Sequence, residues 1–299
     1  MLPVAGRVSA ADVVRIGNVP IDSSSKIYAA QAEGFLSRAG ISAQVQSFTN
    51  GNTIAAAVIA GALDIGSINV LSVASAHEKG VPIKLIGSGS TYTTKAPTTE
   101  MLVTKASPLH NARDLAGKTV AVNVLKGIAH ISAQGWIDKN GGDATSVKFV
   151  EVPFASMPAA LKQGRVDAAV VAEPQLSGSR GETRVLGKSY DGIADRWLID
   201  GYAANESWIA ANSDLVRRFA EAMRQAAIWA NHHQDRTAEI VSKAMNVDPT
   251  VVRSMRRATF IEKTDLATVQ PVIDAGARYG ALEKSFPAAD LFTREALKS

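Results

Sequence analysis

An ordered set of secondary-structure signals that recurs about a hundred residues later constrains this chain more than any other feature of its sequence. In the first unit, strand Val13 to Gly17 leads to a helix from the Ser23-Ser24-Ser25 region to Arg38, closed by Gly40. An alternating strand with Ile41, Ala43 and Val45 follows, then a turn at Asn50-Gly51 and helix Ile54 to Ala60 before Gly61. Leu63 to Gly66 reads as a buried strand, with a further helix from Leu71 to Lys79 ended by Gly80. The order repeats as strand Lys118 to Val122, helix Ile128 to Lys139, strand Ser146 to Val152, helix Met157 to Gln163 and strand Val166 to Ala172. Gly61 and Gly164 stand 103 residues apart, as do Asp64 and Asp167, while Asn18 and Asn123, each read as lying just beyond a first strand, are 105 apart. Parallel strands need helical crossovers, so two βαβαβ units imply two mostly parallel sheets flanked by helices, an α/β chain of two lobes. Ligands of such sheets sit beyond the carboxyl ends of the strands, which places a site in the cleft between the lobes.

Composition narrows the function. With 299 residues, 46% of them hydrophobic and 20% charged, the chain has the makings of an ordinary globular core, and no apolar run approaches the roughly 18 residues of a membrane span. The absence of cysteine excludes disulfide frameworks, thiolate metal sites and thiol nucleophiles. A net charge of +4 is spread without any run of five basic residues, which argues against a nucleic-acid partner. Val8-Ser9-Ala10 before Ala11-Asp12 has the small-residue form of an export-signal cleavage site, so residues 1–10 read as the tail of such a signal; an irregular cytosolic start is the alternative.

Segments 83–104 and 197–211 are expected to cross between the lobes. Residues 11–95 with 205–299 would form the first lobe and 96–204 the second. Amphipathic helices from Asp214 to Asn231, Thr237 to Met245, Pro249 to Arg257 and Thr268 to Tyr279 are expected to pack on the first lobe.

The motifs at these positions carry a resemblance. Gly61-x-Leu-Asp64-Ile-Gly66, Lys79-Gly80-Val-Pro82-Ile-Lys84, Leu102-Val103 before Ser107-Pro108, and Asp114-Leu115-x-Gly117-Lys118-x-Val-Ala121-Val come in order. Gly127 with His130, and Ala159-Ala160-Leu161-x-x-Gly164-x-Val-Asp167-Ala-Ala ending in Glu173-Pro174, complete a pattern running from about residue 13 to 210. It resembles the solute-binding proteins of nitrate, sulfonate and taurine ABC transporters, a group that includes thiamine-precursor binders. The resemblance implies a periplasmic-binding-protein fold of type II. It also implies an exported, non-catalytic receptor that closes two lobes on a small molecule and passes it to an ABC permease. The expectation adopted is a monomer without cofactor or metal that captures a small anion.

Strand ends and resemblance select the same loops. Asn18, Pro20, Ser23, Ser24, Ser25 and Asn69 are the candidates of the first lobe, and Lys126, Gly127, Ile128, His130, Phe154 and Glu173 those of the second. Loops opening into helices present free N–H groups to an anion. Ile128 and Ala129 replace the small hydroxyl residues frequent in the group, which points to a ligand with an apolar or aromatic body, and Tyr92, Phe154 and Tyr202 are candidates to stack on it. Plainer roles stand beside these: the serines as helix caps, His130 as a packing residue, Tyr92 and Phe154 as core or hinge aromatics, and Glu173 as an interlobe acceptor. Asp64 and Asp167 are assigned to a shared structural task.

Catalytic signatures are missing. His232-His233 has no helical ligand partner, Gly187-Lys188-Ser189 lacks the earlier glycine of a phosphate loop because Glu182 stands there, and no G-x-S-x-G or H-E-x-x-H occurs. The alternatives that stay open are a small-molecule enzyme on the same scaffold, such as a thiamine-pyrimidine-type synthase, and a ligand-sensing module.

Overall fold

The computed structural model describes residues 11–298, so the export-signal reading of residues 1–10 lies outside the described residues. Strands β1 (Asp12–Asn18), β2 (Ile41–Ser47), β3 (Ile65–Asn69) and β4 (Ile83–Ser88) belong to the first sheet. The chain then passes through β5 (Ser90–Thr93) into a second sheet with β6 (Thr99–Thr104), β7 (Thr119–Val122), β8 (Lys148–Glu151), β9 (Ala168–Ala172) and β10 (Thr183–Gly187). It returns through β11 (Arg196–Leu198) to β12 (Asp200–Asn205) of the first sheet, and β13 (Thr259–Phe260) joins β5 and β11 in a small third sheet.

Both large sheets are built alike. The first has the order β2-β1-β3-β12-β4 and the second β8-β7-β9-β6-β10. In each, three strands of a βαβαβ unit run parallel, and the fourth strand, arriving from the opposite lobe, runs antiparallel to its neighbours. The exchanged strand explains why periodicity alone called for parallel pairing: the direction of β6 and β12 follows from where the chain has come from, not from local pattern. The first sheet takes in residues 200–204, which the sequence reading gave to the second lobe, and the return crossing is complete by Asp200.

The repeated aspartates do the same work in both units. Asp64 Oδ2 accepts the Arg15 N–H at 2.8 Å, and Asp167 Oδ2 accepts the Thr119 N–H at 2.8 Å. Each closes the start of a parallel pair whose edge amide would otherwise lack a partner. The same register sets Phe48 N–H on the Asn18 carbonyl and Val152 N–H on the Val122 carbonyl, both at 2.9 Å. Asn18 is therefore the counterpart of Val122, and the expected equivalence of Asn18 with Asn123 is off by one residue.

Two further expectations are corrected. The helix foreseen from Ser23 to Arg38 is broken into Lys26–Ala32 and Phe35–Arg38, because Gly34 takes φ +75°, a left-handed conformation that interrupts the hydrogen-bond ladder. The C-terminal helices do not all lie on the first lobe. Ser213–His232 buries Val216, Phe219 and Met223 against the first sheet. Pro249–Ser254, however, packs on the Gln175–Gly178 helix of the second lobe, and Gln270–Arg278 wedges between Val70–Glu78 and Ile128–Lys139. Arg180 donates to the Ser254 carbonyl at 3.2 Å, and Tyr279 Oη donates to Asp138 at 3.1 Å. Polar anchors of this kind leave no mark on the helical periodicity.

Candidate ligand cleft

A cavity of about 40 Å³ lies between the two large sheets, lined at the ends of β1, β3 and β7 and by the return crossing. The first lobe contributes Ser23, Ser24, Ser67 and Asn69, the second Asn123, Ile128, Phe154 and Tyr190, and the return crossing Ile199 and Asp200. No lysine or arginine is among the lining residues. A negative charge here would have to be met by hydroxyls, amides and helix ends.

The helices that open at the cleft differ in their ends. Asn50 caps Gly51–Ile59 by accepting from Thr53 N at 3.0 Å, and Asn69 caps Val70–Glu78 by accepting from Ser72 N at 2.9 Å. Ile128–Lys139 starts at Gly127 with no side-chain cap, so its first amides and positive dipole end face the cavity at Ile128. Across from it, the Ser67 hydroxyl is buried without a partner among the described residues, and so are both amide atoms of Asn18, fully buried at the end of β1. Buried polar atoms left in this state are costly, and of the two residues Ser67 lines the cavity while Asn18 stands behind it.

Asp200 is the one acid on the wall. Its Oδ1 accepts the Ser90 N–H at 2.7 Å and the Ser90 hydroxyl at 2.9 Å, and Oδ2 accepts the Ser24 hydroxyl at 2.9 Å. Burial raises its pKa, opposed by these donors and by the Lys26 ammonium. Lys26 is itself 1% exposed and donates to the Ser88 carbonyl at 2.7 Å, beneath the first crossing. Thus Lys26, Asp200 and Ser90 tie the two crossings together where both leave the first sheet. Gly89 permits the approach, since a Cβ there would stand 2.8 Å from the Asp200 carbonyl oxygen and 2.7 Å from its Cγ.

Residues 22–237 match the family model described as NMT1/THI5 like. The chain belongs to that family. A taurine-binding periplasmic protein of Escherichia coli (strain K12) is 25% identical over 196 residues, a match covering 64% of this chain and 59% of that protein, less than two thirds of its length. Among solved structures, the aliphatic sulphonate binding protein SsuA of Escherichia coli superposes with a TM-score of 0.76 at 19% identity, covering 96% of this chain and 99% of that one. The nitrate-binding protein NrtA of Synechocystis PCC 6803 gives 0.79 at 15% identity, covering 96% and 87%. The desulfurization enzyme DSZB gives 0.70 at 16% identity, covering 96% and 98%. At these identities the structures establish a shared periplasmic-binding-protein fold, one that an enzyme also uses.

In this NMT1/THI5-like protein the residues expected at the site fall into two groups. Ser23, Ser24, Asn69, Ile128 and Phe154 line the cavity. The others stand behind it or apart from it. Ser25 is buried at the start of Lys26–Ala32, and Pro20 is half-buried in the loop after β1. Gly127 is the N-cap of Ile128–Lys139, and Lys126, with φ +57°, faces outward from the same loop. His130 accepts the Lys126 N–H on Nδ1 at 2.9 Å and packs its ring on Phe149 with centroids 4.4 Å apart. Burial, helped by Lys126, lowers its pKa to about 4, which keeps the imidazole neutral and able to accept. Glu173 turns back to Ser177, accepting its N–H at 2.9 Å and its hydroxyl at 2.7 Å, while the Glu173 carbonyl accepts the Asp22 N–H at 3.0 Å across the lobes.

Neither tyrosine reaches the cavity. Tyr92 packs between Tyr190 and Trp197, each 5.5 Å away, and donates to Asp191 at 2.7 Å. Tyr202 lies under the first sheet against Phe219, with the Lys26 ammonium 5.3 Å from its ring centre. Tyr190, Ile199 and Asp200 carry no repeat signal because they lie beyond the second repeated unit, Tyr190 in a turn before the return crossing and the other two at its end. A buried-strand pattern beginning with an acid, Asp200-Gly201, was the available signal.

Lys26 makes a measurable prediction. Burial lowers its pKa to about 8, partly countered by Asp200, so between that value and the ordinary 10.5 the unfolded chain binds more protons than the folded one. Stability from this group is fully present above the unfolded value and lost as pH falls through the folded one. Urea unfolding of wild type is expected to gain about 2 kcal/mol relative to Lys26→Met between about pH 7.5 and 9.5. Parallel curves for the two proteins would show that Lys26 is not held as described.

Proposed function

We propose that this NMT1/THI5-like protein is an extracytoplasmic solute-binding protein that captures a small organic anion between its lobes and delivers it to an ABC permease. The anion is a sulfonate, carboxylate or aromatic acid. The observation that carries this reading is a cleft contributed by both repeat units, where an uncapped helix end and an unpartnered buried hydroxyl face each other and no basic side chain intrudes. Helix amides and hydroxyls hold an anion without the desolvation cost of a buried cation. The named ligands of the relatives, taurine, aliphatic sulphonate and nitrate, are anionic or carry an anionic group, which supports the same class. Among the lining residues the acid is already engaged by three donors, an arrangement suited to binding rather than to proton transfer.

Ligand contacts made to both lobes only in the shut state would drive closure. A panel of sulfonates, aromatic carboxylates and nitrate should contain compounds that raise the melting temperature by about 5 °C at a hundred times their Kd. Such compounds should be recovered chemically unchanged after prolonged incubation. A panel without any shift overturns the receptor reading, and turnover of a bound compound replaces it with an enzyme.

A further inference from the structure

We infer that the ligand has two parts, an acidic head in the inner cleft and an extended, neutral, partly polar body in a separate outer chamber between the lobes. The inference rests on the receptor reading above and names the kind of acid it takes. The inner cavity, about 40 Å³, holds roughly three water-sized groups, enough for the oxygens of a sulfonate or carboxylate and little else. Beside it lies a chamber of about 660 Å³, within the size range of pockets that enclose whole drug-sized ligands.

Residues adjacent in the chain line the two spaces. Gly51 lines the inner cavity and Asn52 the outer chamber; Val124 lines the inner and Leu125 the outer. A hydrogen-bonded chain runs from one to the other, Asn69 Nδ2 donating to Ser72 Oγ at 2.9 Å and Ser72 Oγ donating to Asn52 Oδ1 at 2.7 Å. The lobe contacts that form the chamber are also set deliberately. Lys126 holds a left-handed φ of +57°, a conformation that costs a non-glycine residue free energy unless its surroundings enforce it. Two buttresses do so: His130 Nδ1 takes the Lys126 N–H, and Glu151 takes the Leu125 N–H at 2.8 Å. The result projects Leu125, an aliphatic side chain left 42% exposed, into the chamber opposite Ala281 and Leu282 of the C-terminal segment.

The chemistry of the walls defines the body. Lys79 and Lys126 are matched by Glu78 and Glu283, so the chamber as a whole calls for no net charge. Glu78 is further occupied by the backbone N–H groups of Glu283 and Lys284. Leu125, Ala281 and Leu282 offer apolar contact while Ser75 and Asn52 offer hydrogen bonds, a mixture that fits a ring or chain carrying a hydroxyl, ether or uncharged amine.

Calorimetric titration at about pH 9, where the piperazine nitrogens are uncharged, of two matched pairs tests this: ethanesulfonate against 4-(2-hydroxyethyl)piperazine-ethanesulfonate, and benzoate against 4-biphenylcarboxylate. In at least one pair the larger acid should bind about tenfold or more tightly than the smaller, a gain that two buried methylene groups already supply. That ratio should fall below about threefold in Leu125→Ala, which removes an exposed side chain and threatens no core, and in Ala281→Trp, which fills the chamber. Small and large acids binding alike in wild type, or a ratio that survives both substitutions, overturns the two-part ligand and leaves the receptor reading standing. Failure of all four acids to bind overturns the two-part ligand, and the receptor reading falls with it when the wider panel also gives no shift.

Discussion

Asp200→Ala is expected to lower the unfolding free energy by about 4 kcal/mol, measured by urea denaturation at neutral pH. The substitution strands three buried donors at once, the Ser90 amide, the Ser90 hydroxyl and the Ser24 hydroxyl. Each unsatisfied buried group costs about 1–3 kcal/mol, and the Lys26 ammonium simultaneously loses its nearby countercharge. Asp200→Asn keeps an acceptor oxygen and should lose about half as much. The apparent pKa of Lys26 should move further down in both variants, because the Asp200 carboxylate is what holds it up against burial. A loss under about 1 kcal/mol for Asp200→Ala would mean that the two crossings are joined by backbone contacts alone, such as the Gly89 N–H on the Asp200 carbonyl at 2.8 Å.

The second large effect lies behind the first lobe. Asp22 is fully buried and accepts Arg257 Nε at 2.9 Å and the Ala258 N–H at 2.6 Å, which fastens the C-terminal segment to the loop after β1. Burial raises the Asp22 pKa, and Arg257 opposes that rise. Two Arg257 nitrogens, Nη1 and Nη2, are already buried without partners among the described residues. Removing the carboxylate by Asp22→Ala leaves a guanidinium wholly uncompensated, at a cost of about 3–5 kcal/mol. The double variant Asp22→Ala with Arg257→Met should be more stable than Asp22→Ala alone, since it also removes the stranded charge. A double variant no better than the single one would show that packing, not charge, accounts for the loss.

Asp200 lies outside the repeat, and Asp22, within it, finds its partners 235 and 236 positions away. The repeat itself was open to reading because its signals are local. Glycines at 61, 80 and 164 adopt φ of +66° to +74°, the conformation that their place after a helix calls for. The helix Ile128–Lys139 runs between the limits that its apolar spacing and Gly141 indicate. Asp64 and Asp167 declared a common role by spacing alone, and their matching bonds to Arg15 and Thr119 supply it. Of the cleft residues, those at strand ends, Ser23, Ser24, Asn69, Ile128 and Phe154, were accessible in the same way, because a strand end in a βαβ unit is a position that sequence order defines.

What lay beyond reach depended on contacts over long separations. Tyr92 and Tyr202 have the size and polarity of ligand-stacking rings, yet one is enclosed by Tyr190 and Trp197 and the other by Phe219; nothing near either residue in the chain announces those partners. Asp200 meets Ser90 across 110 positions and Ser24 across 176. Sequence by itself determined two βαβαβ units and most of the loops that line the cleft, since hydrophobic period, caps and glycine turns act within a few residues. Only tertiary structure decided which strand each lobe lends the other, which side chains face the cleft, and that a larger chamber adjoins it, because each depends on surfaces from distant segments meeting.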